Sequence, residues 1–358
     1  MEQEEKNYSI RIRFSIVSEL SHLQPLHFYR PSLFPYLVAL LQRSWKLFAT
    51  IAKIIVPVMF LVHFADQFGV VQAAGEVLGP LMALFNLPAE AGIIWATNIL
   101  VGIYGGLASL ATLAPTLELT HGQLSALAAM ILISHNIPVE QSIVRKAGAS
   151  FLWTAVIRIL VAATYGGLVA WLSQLSGWLN TPVSLTWMQG SELIGNGDQG
   201  FWSWLQGVAF SLILTFGIIV VLVLVLDLCD RLRITQRITA LITPLLKLSG
   251  LHEKAAPVTT VGVLLGLSYG GALIIEQADQ NNFSPRTRFL ALSWLSLSHS
   301  LIEDTVLLMA VGANIWVILV GRLLFTMAVV ALLARLTLSG PFKLAEHPGP
   351  QYASATKQ

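Results

Sequence analysis

Charge is what this 358-residue sequence has least of: Asp, Glu, Lys and Arg make up 11% of it, against about 25% in a soluble domain. Hydrophobic residues make up 55% and the mean hydropathy is +0.71, so there is too little polar surface for a water-facing coat. Cysteine is nearly absent. Cys229 stands alone, which excludes a disulfide framework and a cysteine metal cage within one chain. The net charge of +2 offers no basic footprint, so nucleic acid is not an expected partner. No phosphate-cradling loop, nucleophile elbow or zinc-protease helix occurs, so the sequence predicts no enzyme and no cofactor. The opening Met1-Glu-Gln-Glu-Glu-Lys is acidic and lacks the apolar run of a secretory signal. Membrane insertion is therefore expected to begin with the first hydrophobic helix.

What is present is length in apolar runs. They fall at about 44–65, 89–114, 123–144, 150–174, 202–228, 255–278, 288–309 and 313–337, each near or above the roughly 20 residues that span hydrocarbon. Residues 1–42, with Arg11, Arg13, Arg30 and aromatics, read as a cytoplasmic, interfacial lead-in. Residues 339–358 read as a cytoplasmic tail.

The chain also repeats itself. A shift of 164 places Asp66 on Asp230, Gln72 on Gln236, Pro80 on Pro244, Ser134-His135 on Ser298-His299, Glu140 on Asp304, Gly148 on Gly312 and Arg158 on Arg322. Tyr104-Gly105-Gly106 falls on Tyr269-Gly270-Gly271 one residue later. Chance matches in an apolar protein are Leu on Leu, not Arg on Arg. The organisation predicted is repeat 1 over 43–175, an external connector over 176–201 and repeat 2 over 202–338.

Orientation follows from where Lys and Arg are missing. Residues 66–122 and 173–203 contain neither, whereas Arg145 and Lys146, the set Arg231, Arg233, Arg237, Lys247 and Lys254, and the pair Arg286 and Arg288 crowd other connections. With the basic segments inside, both termini are cytoplasmic, and run 44–65 crosses opposite to its mate 202–228. The repeats are then inverted. Segments 89–116 and 255–281 each begin and end on one side, with Tyr-Gly-Gly near the middle. They read as re-entrant helical hairpins entering from opposite faces; the alternative is a straight span. The fold class expected is an all-α polytopic membrane protein with inverted-topology repeats, about six transmembrane helices and two re-entrant hairpins.

Ionisable groups in hydrocarbon mark function or paired structure. The repeated set is Ser134, His135, Asn136 and Glu140 against Ser298, His299, Ser300, Glu303 and Asp304. Both histidines are read as site residues between the halves, titratable near neutrality and flanked by Tyr104, Gly105, Gly106, Tyr269, Gly270 and Gly271. Pro138 predicts a helix break after Asn136. Ser300 and Glu303 have capping-box spacing for the matching restart. Arg158 and Arg322 are read first as ion-pair partners of Glu140 and Asp304 that fasten adjacent helices, and second as an anion site. A divalent-metal reading draws on His299 and Glu303 at i, i+4, but Val139 stands where Glu303 has its counterpart. The sequence shows no tight ligand cluster, and no metal site is assigned. Glu276 and Gln277 face Ala111 and Thr112 in the alignment of the hairpins, and Asp66 and Asp230 read as solvated helix ends.

The twin Tyr-Gly-Gly segments, each followed by Ser-His, an acid and a Gly-Ala pair (Gly148-Ala149, Gly312-Ala313), resemble the Gate-domain, or nucleoside-recognition-domain, membrane proteins. That group is similar to the membrane part of ferrous-iron transporter B and to spore-maturation proteins A and B. The resemblance covers about residues 44–337 and implies two inverted units with re-entrant hairpins. This chain lacks the GTPase domain of the iron transporters and has no cysteine in either Gate segment. The function expected is ion-gradient-driven transport of a small polar or anionic solute, nucleoside-like or organic, across a bacterial inner membrane. The alternatives are a divalent-cation permease and a non-transporting scaffold subunit. The lipid bilayer and a small solute or ion are the expected partners, and a homo-oligomer is compatible with the sequence.

Overall fold

Local chemistry starts and stops the helices much as the sequence demands. In the computed structural model Thr120 and Gln123 close a reciprocal capping box. Ser150 and Ser284 accept from backbone N–H groups three residues on, each satisfying a donor that the first helical turn leaves free. The structure describes residues 33–189, 201–232, 234–267, 270–271, 274–275, 283–339 and 344. Tyr269, Glu276, Gln277, most of the lead-in and the tail, and the side chains of Asp66 and Asp230 lie outside the described residues. Residues up to Arg43 form one compact unit and Ser44–Gln358 another, and every candidate site residue belongs to the second.

In chain order the elements are α1 (Leu33–Gln67), α2 (Val70–Leu84), α3 (Ala89–Val101), α4 (Ile103–Leu113), β1 (Leu119–Thr120), α5 (His121–Ser134), α6 (Ile137–Lys146) and α7 (Phe151–Ser176). After β2 (Pro182–Val183) come α8 (Phe201–Arg231), α9 (Ile234–Leu248), α10 (Ala255–Leu265), α11 (Pro285–Ser298), α12 (Glu303–Ala310), a π-helical turn at Trp316–Gly321 and α13 (Arg322–Ser339). The second series repeats the first at a spacing of 164. The backbone repeats it more sharply than the side chains do. Positive φ occurs at Asn86 and Gly250, Gly102 and Gly266, Asn136 and Ser300, and Gly148 and Gly312.

Two of these pairs fix the architecture. Gly102 and Gly266 have φ near +105° with extended ψ, a conformation that only glycine adopts cheaply. The chain folds back there. A Cβ on Gly106 would meet Asn98, and one on Gly270 would meet the Gly262 backbone; residues eight apart in one continuous helix are roughly 12 Å apart. Tyr-Gly-Gly therefore does not make the break, as the sequence suggested. Its glycines lie inside a helix and let the hairpin arms close, while the turn sits at the preceding glycine. The Ser300–Glu303 capping box does not form either: α12 does restart at Glu303, but its N-cap is Ile302, with no side-chain cap.

α5 lies at the centre, buried from Leu124 to Ser134, and packs along α7. The mates α1 and α8 run antiparallel, laminated by aromatics: Trp45 and Phe48 meet Phe216 at one end, and Phe60 and His63 meet Trp204 at the other. β1 and β2 pair through Leu119–Val183 and Thr120–Pro182. The connection before α5 and the one after α7 are thereby held on the same face.

Among the described residues four segments are long and apolar enough to cross a membrane: His121–Lys146, Phe151–Ser176, Trp202–Val225 and Trp316–Leu338. A fifth counts if Gln72–Leu84 and Ala89–Val101, bent by 96°, are taken together. This is an all-α membrane protein, with four or five such segments among the described residues. The run at 288–309 is not one of them, because it is interrupted between His299 and Ile302.

Candidate functional site

Both repeated Ser-His pairs sit at helix breaks. α5 ends at Ser134, His135 turns extended, Asn136 is left-handed at φ 47°, and Pro138 opens α6. α11 ends at Ser298, His299 is extended and Ser300 is left-handed at φ 49°. Each left-handed residue stands against the hairpin glycine of its own half: Asn136 against Gly102, and Ser300 against Gly266. Backbone bonds lock these joints, from Asn136 N–H to the Asn98 carbonyl at 3.0 Å and from Leu301 N–H to the Val263 carbonyl at 3.1 Å.

The breaks turn side chains that a straight helix would splay apart toward one point. His135 Nε2 lies 2.9 Å from His299 Nε2. Glu140 Oε1 lies 3.1 Å from both nitrogens. In an unbroken helix Glu140, five residues on from His135, would face elsewhere. Asp304 Oδ2 is 3.8 Å from His135 Nε2 and has no hydrogen-bond partner among the described residues. All four side chains belong to buried residues.

The outer ring nitrogens settle which atoms face the centre. His135 Nδ1 lies 3.1 Å from the Leu132 carbonyl, and His299 Nδ1 lies 2.8 Å from the Leu295 carbonyl. A carbonyl only accepts, so each Nδ1 carries the hydrogen and a neutral imidazole presents a bare Nε2 inward. Two nitrogen lone pairs and a carboxylate oxygen thus converge. Three acceptors at this spacing repel unless something positive lies between them.

The arginines differ. Arg158 is fully buried and each of its three nitrogens is engaged: Nε donates to the Ile133 carbonyl at 2.7 Å, Nη2 to the His135 carbonyl at 2.9 Å and Nη1 to Glu140 Oε2 at 2.5 Å. The expected Glu140–Arg158 pair forms. The expected Asp304–Arg322 pair does not. Arg322 is as deeply buried, yet none of its three nitrogens has a hydrogen-bond partner among the described residues. Asp304 and Tyr165 act on it only through their electrostatic fields.

The remaining predicted residues divide. Ser134 accepts from Trp95 Nε1 at 2.8 Å and donates to the Met130 carbonyl, and Ser298 bonds Thr326. Both serines fasten helices. Glu303 is exposed, and the acid of the second repeat that approaches the centre is Asp304, 3.8 Å from His135 Nε2. Tyr104 is half-buried. It lines an apolar crevice with Leu107, Ala111, Ser211, Thr215 and Leu307, within the electrostatic field of Glu303 and Asp304. Gly105, Gly106, Gly270 and Gly271 stand at close approaches, where an added Cβ would meet Val101, Asn98, Gly262 and Ile143 respectively.

Two residues escape the sequence reading. Asn98, fully buried in α3, bonds the Ile131 carbonyl through Nδ2 and receives the Asn136 N–H on its own carbonyl. An asparagine in an apolar run is the available signal. Tyr165 donates from α7 to the Val317 carbonyl at 2.7 Å, inside the π-helical turn, and so ties the two repeats together; no sequence pattern announces that.

Residues 48–150 match the Gate family, described as nucleoside recognition. The chain is 26% identical over 312 residues to the uncharacterized membrane protein YvoD of Bacillus subtilis, a similarity covering 82% of this chain and 92% of that protein. No solved structure matches it. The Gate match thus covers most of the first repeat, and the chain is similar along most of its length to another membrane protein.

Proposed function

We propose that this protein is a bacterial inner-membrane secondary transporter of a small polar or anionic solute, driven by an ion gradient, with its site where the two repeats meet around His135 and His299. The observation that carries this reading is Arg322. A buried guanidinium with no hydrogen-bond partner is costly, and an anionic group bound beside it offsets that cost. Asp304 Oδ2 has no hydrogen-bond partner among the described residues either, and it does not hydrogen-bond Arg322. The Gate match supports a membrane protein of the nucleoside-recognition type and leaves the solute open, with a nucleoside-like compound and an organic anion both candidates.

The inverted arrangement belongs to the same proposal. It draws support from the antiparallel run of the mates α1 and α8, from the β1–β2 pairing of two connections that lack Lys and Arg, and from the positive-inside distribution, which puts both termini in the cytoplasm. The hairpins α3–α4 and the one opening with α10 are then re-entrant. Their breaks flank a polar centre, as in inverted-repeat transporters.

The test is solute flux in proteoliposomes, guided by a ligand-induced thermal-shift screen over nucleosides, organic anions and divalent metals. His135→Ala and His299→Ala proteins are expected to insert and to lose flux. Full activity in both variants excludes a site at this centre. Movement of divalent ions alone favours a cation permease, the reading that the convergence of His135, Glu140 and His299 supports. No movement of any solute or ion by the wild type favours a non-transporting membrane subunit.

A further inference from the structure

We propose that His135 Nε2, His299 Nε2 and Glu140 Oε1 form a three-ligand site for a divalent metal of the zinc class, with Asp304 the nearby second carboxylate that balances its charge. Donor chemistry comes first. The Nδ1 atoms are committed to the Leu132 and Leu295 carbonyls, so both Nε2 atoms are free to donate lone pairs, and a backbone-anchored Nδ1–H is the usual support of a metal-binding imidazole. Glu140 is held in the same manner, its Oε2 taken by Arg158 and its Oε1 turned inward. Every ligand therefore has a partner behind it that fixes its orientation.

Geometry comes second. The three donor atoms are 2.9, 3.1 and 3.1 Å apart. A cation about 1 Å off their plane lies roughly 2.0–2.1 Å from each, the usual distance from zinc to nitrogen and oxygen ligands. A regular tetrahedron with such bonds has edges of about 3.3 Å, so a few tenths of an ångström of relaxation completes the fit. The fourth position stays open, as in zinc sites that bind exchangeable ligands. A single shared proton serves this arrangement less well: between the two nitrogens it leaves Glu140 Oε1 with a forked share of one N–H, whereas a cation satisfies all three acceptors. Two imidazoles and one carboxylate suit zinc and its transition-metal neighbours rather than magnesium or calcium.

The observation independent of the cluster is Asp304 Oδ2, buried, unpartnered among the described residues and 3.8 Å from His135 Nε2. A second metal charge accounts for a carboxylate in that place. The ligands come from both repeats, so a bound metal bridges them. The site stands whether or not the protein transports the metal.

Purified full-length protein in detergent, stripped with chelator, is titrated with Zn2+, with Mg2+ as the hard-ion control. The expected result is one Zn2+ per chain and no saturable Mg2+ binding, weakened at least about 100-fold by His135→Ala or His299→Ala and about 10-fold by Asp304→Asn. X-ray absorption at the zinc edge is expected to show two imidazoles. No saturable Zn2+ binding, unchanged binding in the double-histidine variant, or an all-oxygen shell overturns the site. If the alanine variants do not fold, the wild-type absorption spectrum decides. Solute flux measured in chelator-treated vesicles separates the two proposals. Flux without any zinc binding removes the metal and leaves the transporter, and zinc binding without flux does the reverse.

Discussion

Arg158 and Arg322 stand 164 residues apart in matching places, and they differ in everything they touch. Arg158 donates to two carbonyls freed by the α5–α6 break and to Glu140, while Arg322 has no hydrogen-bond partner among the described residues. Breaking a buried ion pair typically costs about 3–5 kcal/mol, whereas an apolar residue in place of an unsatisfied buried charge is neutral or stabilising. Arg158→Met should therefore lower stability in detergent by about that amount. Arg322→Met should leave it unchanged or raise it while abolishing solute flux. Thermal unfolding of both variants checks this, and equal destabilisation shows that Arg322 is paired in solution.

Gly102 and Gly266 adopt a backbone conformation closed to other residues, at an expected cost of about 1–3 kcal/mol per substitution. Gly102→Ala and Gly266→Ala should each destabilise by that much. The second should be worse, because its new Cβ falls 3.0 Å from Ser300 Oγ, against 3.4 Å from Asn136 Cβ in the first. Gly105→Ala, inside α4, should suffer instead from crowding against Val101. A melting series over the three variants ranks them.

Tyr165→Phe removes one hydroxyl, the donor to the Val317 carbonyl in the π-helical turn. The expected loss is about 1 kcal/mol. Hydrogen exchange should report faster opening at residues 317–321 with α7 unaffected. Equal protection in both proteins removes Tyr165 as the anchor of that turn.

Topology is open to cysteine labelling after Cys229→Ser. Glu118→Cys and Thr181→Cys, next to the paired strands, should react with an impermeant reagent added outside intact cells, and His252→Cys only after permeabilisation. Labelling of all three from one side refutes the inversion.

Much of this is legible in the sequence because it is written twice. His135, Arg158 and Pro138 stand out as polar or chain-breaking residues in apolar runs, and the repeat of the first two at His299 and Arg322 makes accident implausible. Pro138 locates the first break to the residue. The hairpin turn is misplaced by sequence because Tyr-Gly-Gly is the conspicuous glycine cluster, whereas the turn needs only one glycine with positive φ; sequence does not separate a glycine that bends from one that permits contact. The pairing of His135 with Glu140 is hidden for a related reason, since i+5 falls on the wrong face until the helix breaks. The idle state of Arg322 cannot be read at all. Glu140 and Asp304 align, but the one-carbon difference in side-chain length and the local backbone decide whether a carboxylate reaches the guanidinium.

That difference has a mechanical side. Through a single guanidinium, α5, α6 and α7 are riveted into one stiff body, because any swing of α6 at the His135–Asn136 joint must tear Arg158 from a carboxylate and a carbonyl together. The corresponding joint at His299–Ile302 has no such guanidinium among the described residues; the backbone bond from Leu301 to the Val263 carbonyl holds it instead. A load passed across the molecule is therefore expected to be taken up first in the second repeat, with the first as its frame.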